Sequence, residues 1–380
     1  MKIQQKKFSA AQGWEMLDDQ LRNTPAPQLV LAFGSRALLE GTGIYAQLRH
    51  DYPDAVILIN STSGEIIGTQ VYDDSIAVTA IYFERTTIET AITSIEEISD
   101  SRAAGARLGQ SLPASGLRNV LVISDGHGVN GSDLVQGLQE SLPAGTILTG
   151  GLAGDGARFE QTLVGLNEEP QQGRIAAIGF YGEALSITYG SVGGWDSFGP
   201  ERLITKSKGN VLYELDGKPA LDIYKLYLGE YADELPGAGL HFPLSIRTGD
   251  PRESLVRTIL AMNEKERSLT FAGNMPEGSF ARLMKANTDR LIEGALHAAQ
   301  SSIDGKKTPP GLAILISCVG RKLVLNQRVE EEVEVVRSVY GAQPAITGFY
   351  SYGEISPTFN FMKCELHNQT MTITTLSEAV

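Results

Sequence analysis

Cysteine is almost absent: the 380 residues hold two, Cys318 and Cys364. That scarcity argues against a disulfide framework and against any CxxC-type metal or haem-attachment motif, and it leads to the expectation of a reducing cytoplasm. Long apolar runs are missing as well. No stretch approaches the ~20 apolar residues of a membrane span, and the opening MKIQQKKFSAAQGW carries basic residues without an apolar core, so neither insertion nor classical secretion is expected. The net charge is −13 with no block of like charge, which argues against the clustered Lys and Arg that grip nucleic acid. Five histidines, His50, His127, His241, His297 and His367, show no HxxxH or HExxH spacing, which argues against a multidentate zinc site. There is no GxSxG elbow, and Ser124, Asp125 and His127 are too close in sequence to take up nucleophile–base–orienter geometry.

What the sequence does have is apolar content and repetition. At 42% hydrophobic residues the chain buries a large core, and its length favours two domains. QLVLAFG ends at Ser35, NVLVIS at Ser124 and LAILIS at Ser317; each apolar strand is followed by a helical stretch and a second strand. A glycine–acid pair then follows, Gly64-Glu65, Gly154-Asp155 and Gly353-Glu354, with the glycine 29, 30 and 36 residues beyond the serine. A β-hairpin succeeds each pair, so the unit reads β-α-β-β-β. A strand, a crossover helix and a strand form a parallel pair, and the hairpin is expected to add antiparallel strands to the same sheet. The fold class is therefore α/β with mixed sheets, in two domains: residues 1–219 with two units, and 220–380 with one unit and a helical insertion. In the last unit Val329, Val333, Val336 and Tyr340 form the buried helical stripe, and Glu330, Glu331, Glu332 and Glu334 read as solvated.

Ligands in such sheets favour the carboxyl ends of parallel strands, where the serines and the glycine–acid pairs fall. Three stretches invite a functional reading. Gly126-His127-Gly128-Val129-Asn130-Gly131 is a formal GxGxxG after a strand, but Gly131 precedes the helix instead of sitting inside it, and Asp125 and Asp133 would flank a pyrophosphate with negative charge. A nucleotide-using enzyme remains the remote alternative. His241, in GAGLHFPLSI, is set among apolar residues and is either a satisfied core histidine or an axial haem ligand. Finally, AITGFYSYGEISP gathers Phe349, Tyr350 and Tyr352 beside Gly353-Glu354; Phe349 reads as core, Tyr350 and Tyr352 as core or pocket lining.

Val122–Gly126 (VISDG), Gly150–Asp155 (GGLAGD), Glu214–Ala220 (ELDGKPA), Cys318–Arg321 (CVGR), Gly348–Ile355 (GFYSYGEI) and His367–Thr370 (HNQT) together resemble the FIST proteins, which carry N-terminal and C-terminal FIST domains in tandem. The resemblance runs from about Pro27 to Leu376. It implies a non-enzymatic sensory protein that binds a small ligand, amino acids being the proposed class, and works with a histidine kinase, a cyclic-dinucleotide enzyme or a chemotaxis receptor. A subset of the family implies the alternative of a haem-binding nitric-oxide sensor, with His241 the candidate ligand here. The chain leaves no room for an output domain, so a stand-alone sensor acting through a protein partner is expected. For an amino-acid ligand the expected site combines Arg321 for the carboxylate and Glu354 for the ammonium with Gly353, Tyr350 and Tyr352. The alternative is that Arg321 and Glu354 pair with each other and hold the third unit together.

Overall fold

A computed structural model describes residues 1–235, 237–247, 254–303, 310–358 and 363–379. The three serine-terminated strands each pair in parallel with the second strand of their own unit: Leu29–Gly34 with Val56–Ser61, Leu117–Ser124 with Ile147–Leu152, and Leu312–Cys318 with Ala345–Ser351. The last strand of each unit returns antiparallel on the other side of the first: Ser75–Tyr82, Arg174–Tyr181 and Met371–Glu378. The α/β class and the mixed sheets are as the repeats lead one to expect.

The middle strand of each hairpin does something else. Glu65–Ile67 leaves its own unit and pairs with Ala345–Ser351 of the third; Gly353–Pro357 leaves the third and pairs with Ile147–Leu152 of the second; Val164–Leu166 leaves the second and pairs with Val56–Ser61 of the first. The expectation that the whole hairpin stays in its own sheet is therefore corrected. A strand between two tight connections is free to take whichever edge completes its backbone hydrogen bonds, and here that edge belongs to the neighbour. Three six-stranded sheets result, related by cyclic exchange of one strand.

The sheets turn their inner faces to one shared core. Leu31 and Phe33 from the first, Leu121 and Ile123 from the second, and Ile316 and Phe349 from the third belong to a single apolar cluster, with the rings of Phe33 and Phe349 4.9 Å apart. Helices cover the outer faces: Ile44–Asp51 on the first sheet, Ser101–Ser111 and Gly131–Ser141 on the second, Thr288–Ile303 and Val329–Tyr340 on the third. Phe349 is core, as expected.

A fourth sheet of eight strands interrupts the third unit between the strand Leu185–Val192 and the helix Thr288–Ile303. It has its own core, in which Leu221 and Tyr224 of the helix Ala220–Leu228 pack against Leu212, Leu269, Phe271 and Leu283. The boundary expected near Pro219 lies within this sheet, since Lys218–Pro219 pairs with Glu214–Leu215 around the turn at Asp216 and Gly217, both at positive φ. Part of the insertion is thus sheet, laid against the three-sheet body.

Candidate functional site

The exchanged strands bring the end of each unit's parallel pair against the glycine–acid turn of another unit, so the molecule has three comparable rims. Each contains a buried carboxylate. Glu65 accepts from Thr62 Oγ1 at 2.5 Å, Ser75 N at 3.2 Å and Ser75 Oγ at 2.7 Å; Glu354 accepts from Ser351 Oγ at 2.7 Å, Thr370 N at 3.1 Å and Thr370 Oγ1 at 2.9 Å. The same device, a hydroxyl three residues back and a hydroxyl residue at or just before the start of the return strand, serves both. Burial pushes both carboxyls up to about 8, against the pull of these hydrogen bonds. Asp155 departs from the pattern: it accepts from Tyr352 Oη and from the N–H groups of Phe159, Glu160 and Gln161. Asp125 takes over its place at the return strand, accepting from Gly173 N at 3.3 Å.

Two rims are closed by a cation. At the first, Arg36 reaches Asp155 at 3.1 Å and Glu160 at 3.3 Å. At the third, Lys322 donates to Ser63 O at 2.8 Å and pairs with Asp73, so tightly that a Cβ on Gly64 would stand 2.5 Å from its Nζ. Among the described residues no Lys or Arg lines the cavity at the second rim. There a cavity of about 730 Å³ opens, lined by the loop Gly126–Asn130 and Tyr352. Its walls come from three parts of the chain: the loop with Leu152 and Phe159, the helix start Cys318–Gly320 with Leu323 and Tyr352, and Thr258, Ile259, Leu260 and Phe271 of the eight-stranded sheet.

Tyr352 anchors the aromatic side of this cavity. Its hydroxyl donates to Asp155 and accepts from Phe159 N at 3.1 Å, Phe159 stacks on its ring at 4.7 Å and 19°, and His127 meets it edge-on at 5.7 Å and 90°. Burial and the Asp155 carboxylate push the phenol well above its ordinary range, so it serves as a donor. Phe159 holds a positive φ of 54°, a conformation bulky side chains seldom adopt and which clusters at functional sites. Gly126 is required by close approach: a Cβ would lie 2.2 Å from Ala153 O.

The formal GxGxxG loop is not a phosphate cradle. Asp125 Oδ1 already accepts the N–H groups of His127 and Gly128 at 2.9 and 2.7 Å, and Asn130 Oδ1 caps Ser132 N and Asp133 N. The donors a pyrophosphate would need are spent, and a negative charge stands where the phosphate would. Cys318 lines the cavity, but burial pushes its thiol far above the usual range, which suits packing and not nucleophilic attack.

The other expected site residues lie elsewhere. Arg321 is fully buried and does not meet Glu354; its guanidinium bonds Glu332 at 2.8 and 3.1 Å, Leu291 O at 2.7 Å, and Gly193 O. Glu332 is correspondingly corrected from solvated face to core: it has no exposed surface and also accepts from Tyr350 Oη at 2.6 Å and Ser317 Oγ at 3.1 Å. Tyr350 therefore belongs to this closed network, while Tyr352 alone of the expected set lines the cavity. Gly353 is buried in its strand pairing with Leu152. His241 is exposed, neither core nor cavity wall, and so does not fit an axial haem ligand. Reasoning from sequence missed Phe159, Thr258, Leu260 and Leu323, which converge on the cavity only through the tertiary fold.

Residues 28–218 match the FIST N domain, and residues 220–357 match the FIST C domain. This chain belongs to the FIST family. The resemblance seen in its motifs is thereby established, and FIST domains are sensory and typically non-catalytic, with small-ligand binding their implied role. The chain is also similar to an uncharacterized protein of Methanocaldococcus jannaschii, 28% identical over 177 residues, which covers 40% of this chain and 34% of that protein. The match thus spans about a third of that relative's length. Among the described residues of this FIST protein no helix is long and apolar enough to cross a membrane, and no cluster of His, Cys, Asp and Glu has the makings of a metal site.

Proposed function

We propose that this FIST protein is a non-enzymatic sensor whose small ligand sits in the cavity at the second rim, between the Gly126–Asn130 loop, Tyr352 and the eight-stranded sheet. One observation carries the reading: of three comparable strand-end rims, two are filled by a paired cation of the chain itself and one is left open. Such pockets, concave, mostly apolar and at the carboxyl ends of parallel strands, are where ligands bind in α/β folds. The amino-acid site drawn around Arg321 and Glu354 gains no support from the geometry, because both groups are sealed from solvent and already satisfied. Haem through His241 gains none either.

The signal has a physical route. Occupants of the cavity touch both the three-sheet body and the eight-stranded sheet, which are clasped beside it by Asn130 Nδ2 to Asn274 at 2.9 Å and Asn274 Nδ2 to Asp133 at 2.9 Å. A ligand that prefers one spacing of the two parts shifts their equilibrium by no more than its differential affinity. A protein partner, a histidine kinase or a cyclic-dinucleotide enzyme in the terms of the family, would read that spacing. The test is a thermal-shift screen of a metabolite library against the wild type, Leu323→Trp and Lys322→Ala. Compounds that stabilise the wild type and Lys322→Ala but not the rim-filled Leu323→Trp are expected; hits that persist in Leu323→Trp and vanish in Lys322→Ala would move the site to the third rim.

A further inference from the structure

We infer that the outward side of residues 226–234, carried by the eight-stranded sheet, is the docking surface for a basic amphipathic helix of a protein partner. The inference rests on the proposed reading of the chain as a sensor that signals through a partner. Leu226 is 78% exposed, the highest value for a large apolar side chain among the described residues, and Tyr231 is 52% exposed. The rest of the segment is folded so as to display them. Leu221, Tyr224 and Leu228 turn one side of the helix Ala220–Leu228 into the core of the inserted sheet, and Ala232 and Leu235, in and just after the 3-10 turn Gly229–Glu234, pack against the same core. Leu226, Glu230, Tyr231, Asp233 and Glu234 are left outside. The Tyr231 ring stands 5.3 Å from that of Phe242, which fixes it at the surface.

Charge selects the occupant. Glu230, Asp233 and Glu234 have no ion pair among the described residues, whereas Asp222 and Lys225 of the same helix pair with Arg267 at 2.9 Å and Glu264 at 2.5 Å. Three uncompensated carboxylates beside two apolar anchors, within nine consecutive residues, complement a helix whose apolar stripe is flanked by Lys or Arg. They disfavour a second copy of this chain, which carries −13 overall and would bring the same acids together, and an anionic membrane surface, which repels them. The chain also joins this surface to the ligand seat. The next 3-10 turn, Gly237–Leu240, touches the turn that bears Tyr231, and its Gly237 and Leu240 line the cavity. An occupant of the cavity that displaces the second turn therefore displaces the docking surface.

The probe is a fluorescein-labelled amphipathic Leu/Lys helix, titrated against the full chain by fluorescence anisotropy beside a scrambled peptide of the same composition. The wild type is expected to bind the helix more tightly than the scrambled peptide. Glu230→Lys/Asp233→Lys/Glu234→Lys is expected to weaken the helix at least about tenfold, and Leu226→Ser/Tyr231→Ser about fivefold. Asp54→Lys/Glu169→Lys/Glu334→Lys changes the net charge equally at exposed acids elsewhere and is expected to leave binding within about twofold. The cavity-filling Leu323→Trp is expected to bind the helix as the wild type does, so the surface is tested apart from the ligand seat, whose own test is the thermal-shift screen. No preference for the helix, equal weakening by the two charge reversals, unaltered binding in Leu226→Ser/Tyr231→Ser, or loss of binding in Leu323→Trp overturns the proposal. Self-association in sedimentation that Leu226→Ser/Tyr231→Ser abolishes would give the surface to a second copy, and binding to phosphatidylcholine vesicles lost in the same variant would give it to a membrane; either result also overturns it.

Discussion

Glu65, Glu354 and His367 are buried titratable side chains whose neutral forms the fold favours, and they set the pH response of the molecule. Both glutamates have folded values near 8 against an ordinary 4.5, the chief cause being burial. Between those values the unfolded chain releases protons that the folded chain keeps, so stability falls as pH rises from about 4.5 to about 8, by up to about 1.4 kcal/mol per pH unit for each group. His367 acts in the opposite sense. Burial lowers it to about 4 while its ring bonds Ser356 O at 3.0 Å, so its contribution is complete above about 6.5 and is lost as pH falls toward 4. Urea titrations across pH 4 to 8 are expected to place the stability maximum on the acid side of neutrality, and Glu354→Gln is expected to flatten the alkaline limb by roughly half. A limb of unchanged slope in that variant would mean that Glu354 is ionised in the folded protein. The sequence could have exposed one more such residue: Glu332 lies three residues after Val329 and four before Val336, on the buried stripe, and only its charge suggested solvent. Burial with Arg321 satisfies both charges, which is the condition for tolerating them inside.

At the scale of elements, the repeat of strand, helix, strand and hairpin was legible because each piece is local: apolar runs, serine and glycine punctuation, helical periodicity. The exchange of the middle strands was not. Alternation says that Glu65–Ile67 is buried, but no property of three residues says whose edge they complete. The same exchange makes the units interdependent, since the second sheet lacks the pairing of Gly353–Pro357 until the end of the chain is made. Residues 1–219 expressed alone are therefore expected to leave Ile147–Leu152 as an unpaired edge, and to aggregate or melt without a cooperative transition, with recovery on co-expression of 220–380. A monomeric, cooperatively folding 1–219 fragment would show that the sheet tolerates the open edge. The family domains meet at 218 and 220, whereas sheet pairing runs across that point, Val211 with Thr270 and Leu212 with Leu269.

For the whole molecule, three near-equivalent rims with different contents make function a matter of which rim is open. The motif reading pointed to the third glycine–acid turn, where the tyrosines are; the fold carries one of those tyrosines, Tyr352, out of the third unit and onto the second rim. The site is thus built half from residues that the sequence singled out and half from an eight-stranded sheet whose role no local pattern announces. The most direct measurement is mass spectrometry of small molecules retained by the immobilised protein from a metabolite extract. Wild type is compared with Leu260→Trp/Leu323→Trp and with Arg36→Ala/Lys322→Ala. The expected result is a compound held by the wild type and by the variant with its cation plugs removed, and lost from the variant with its second rim filled. Retention by the filled variant together with loss on removing Arg36 and Lys322 would contradict the central claim and assign the ligand to the rims described here as closed.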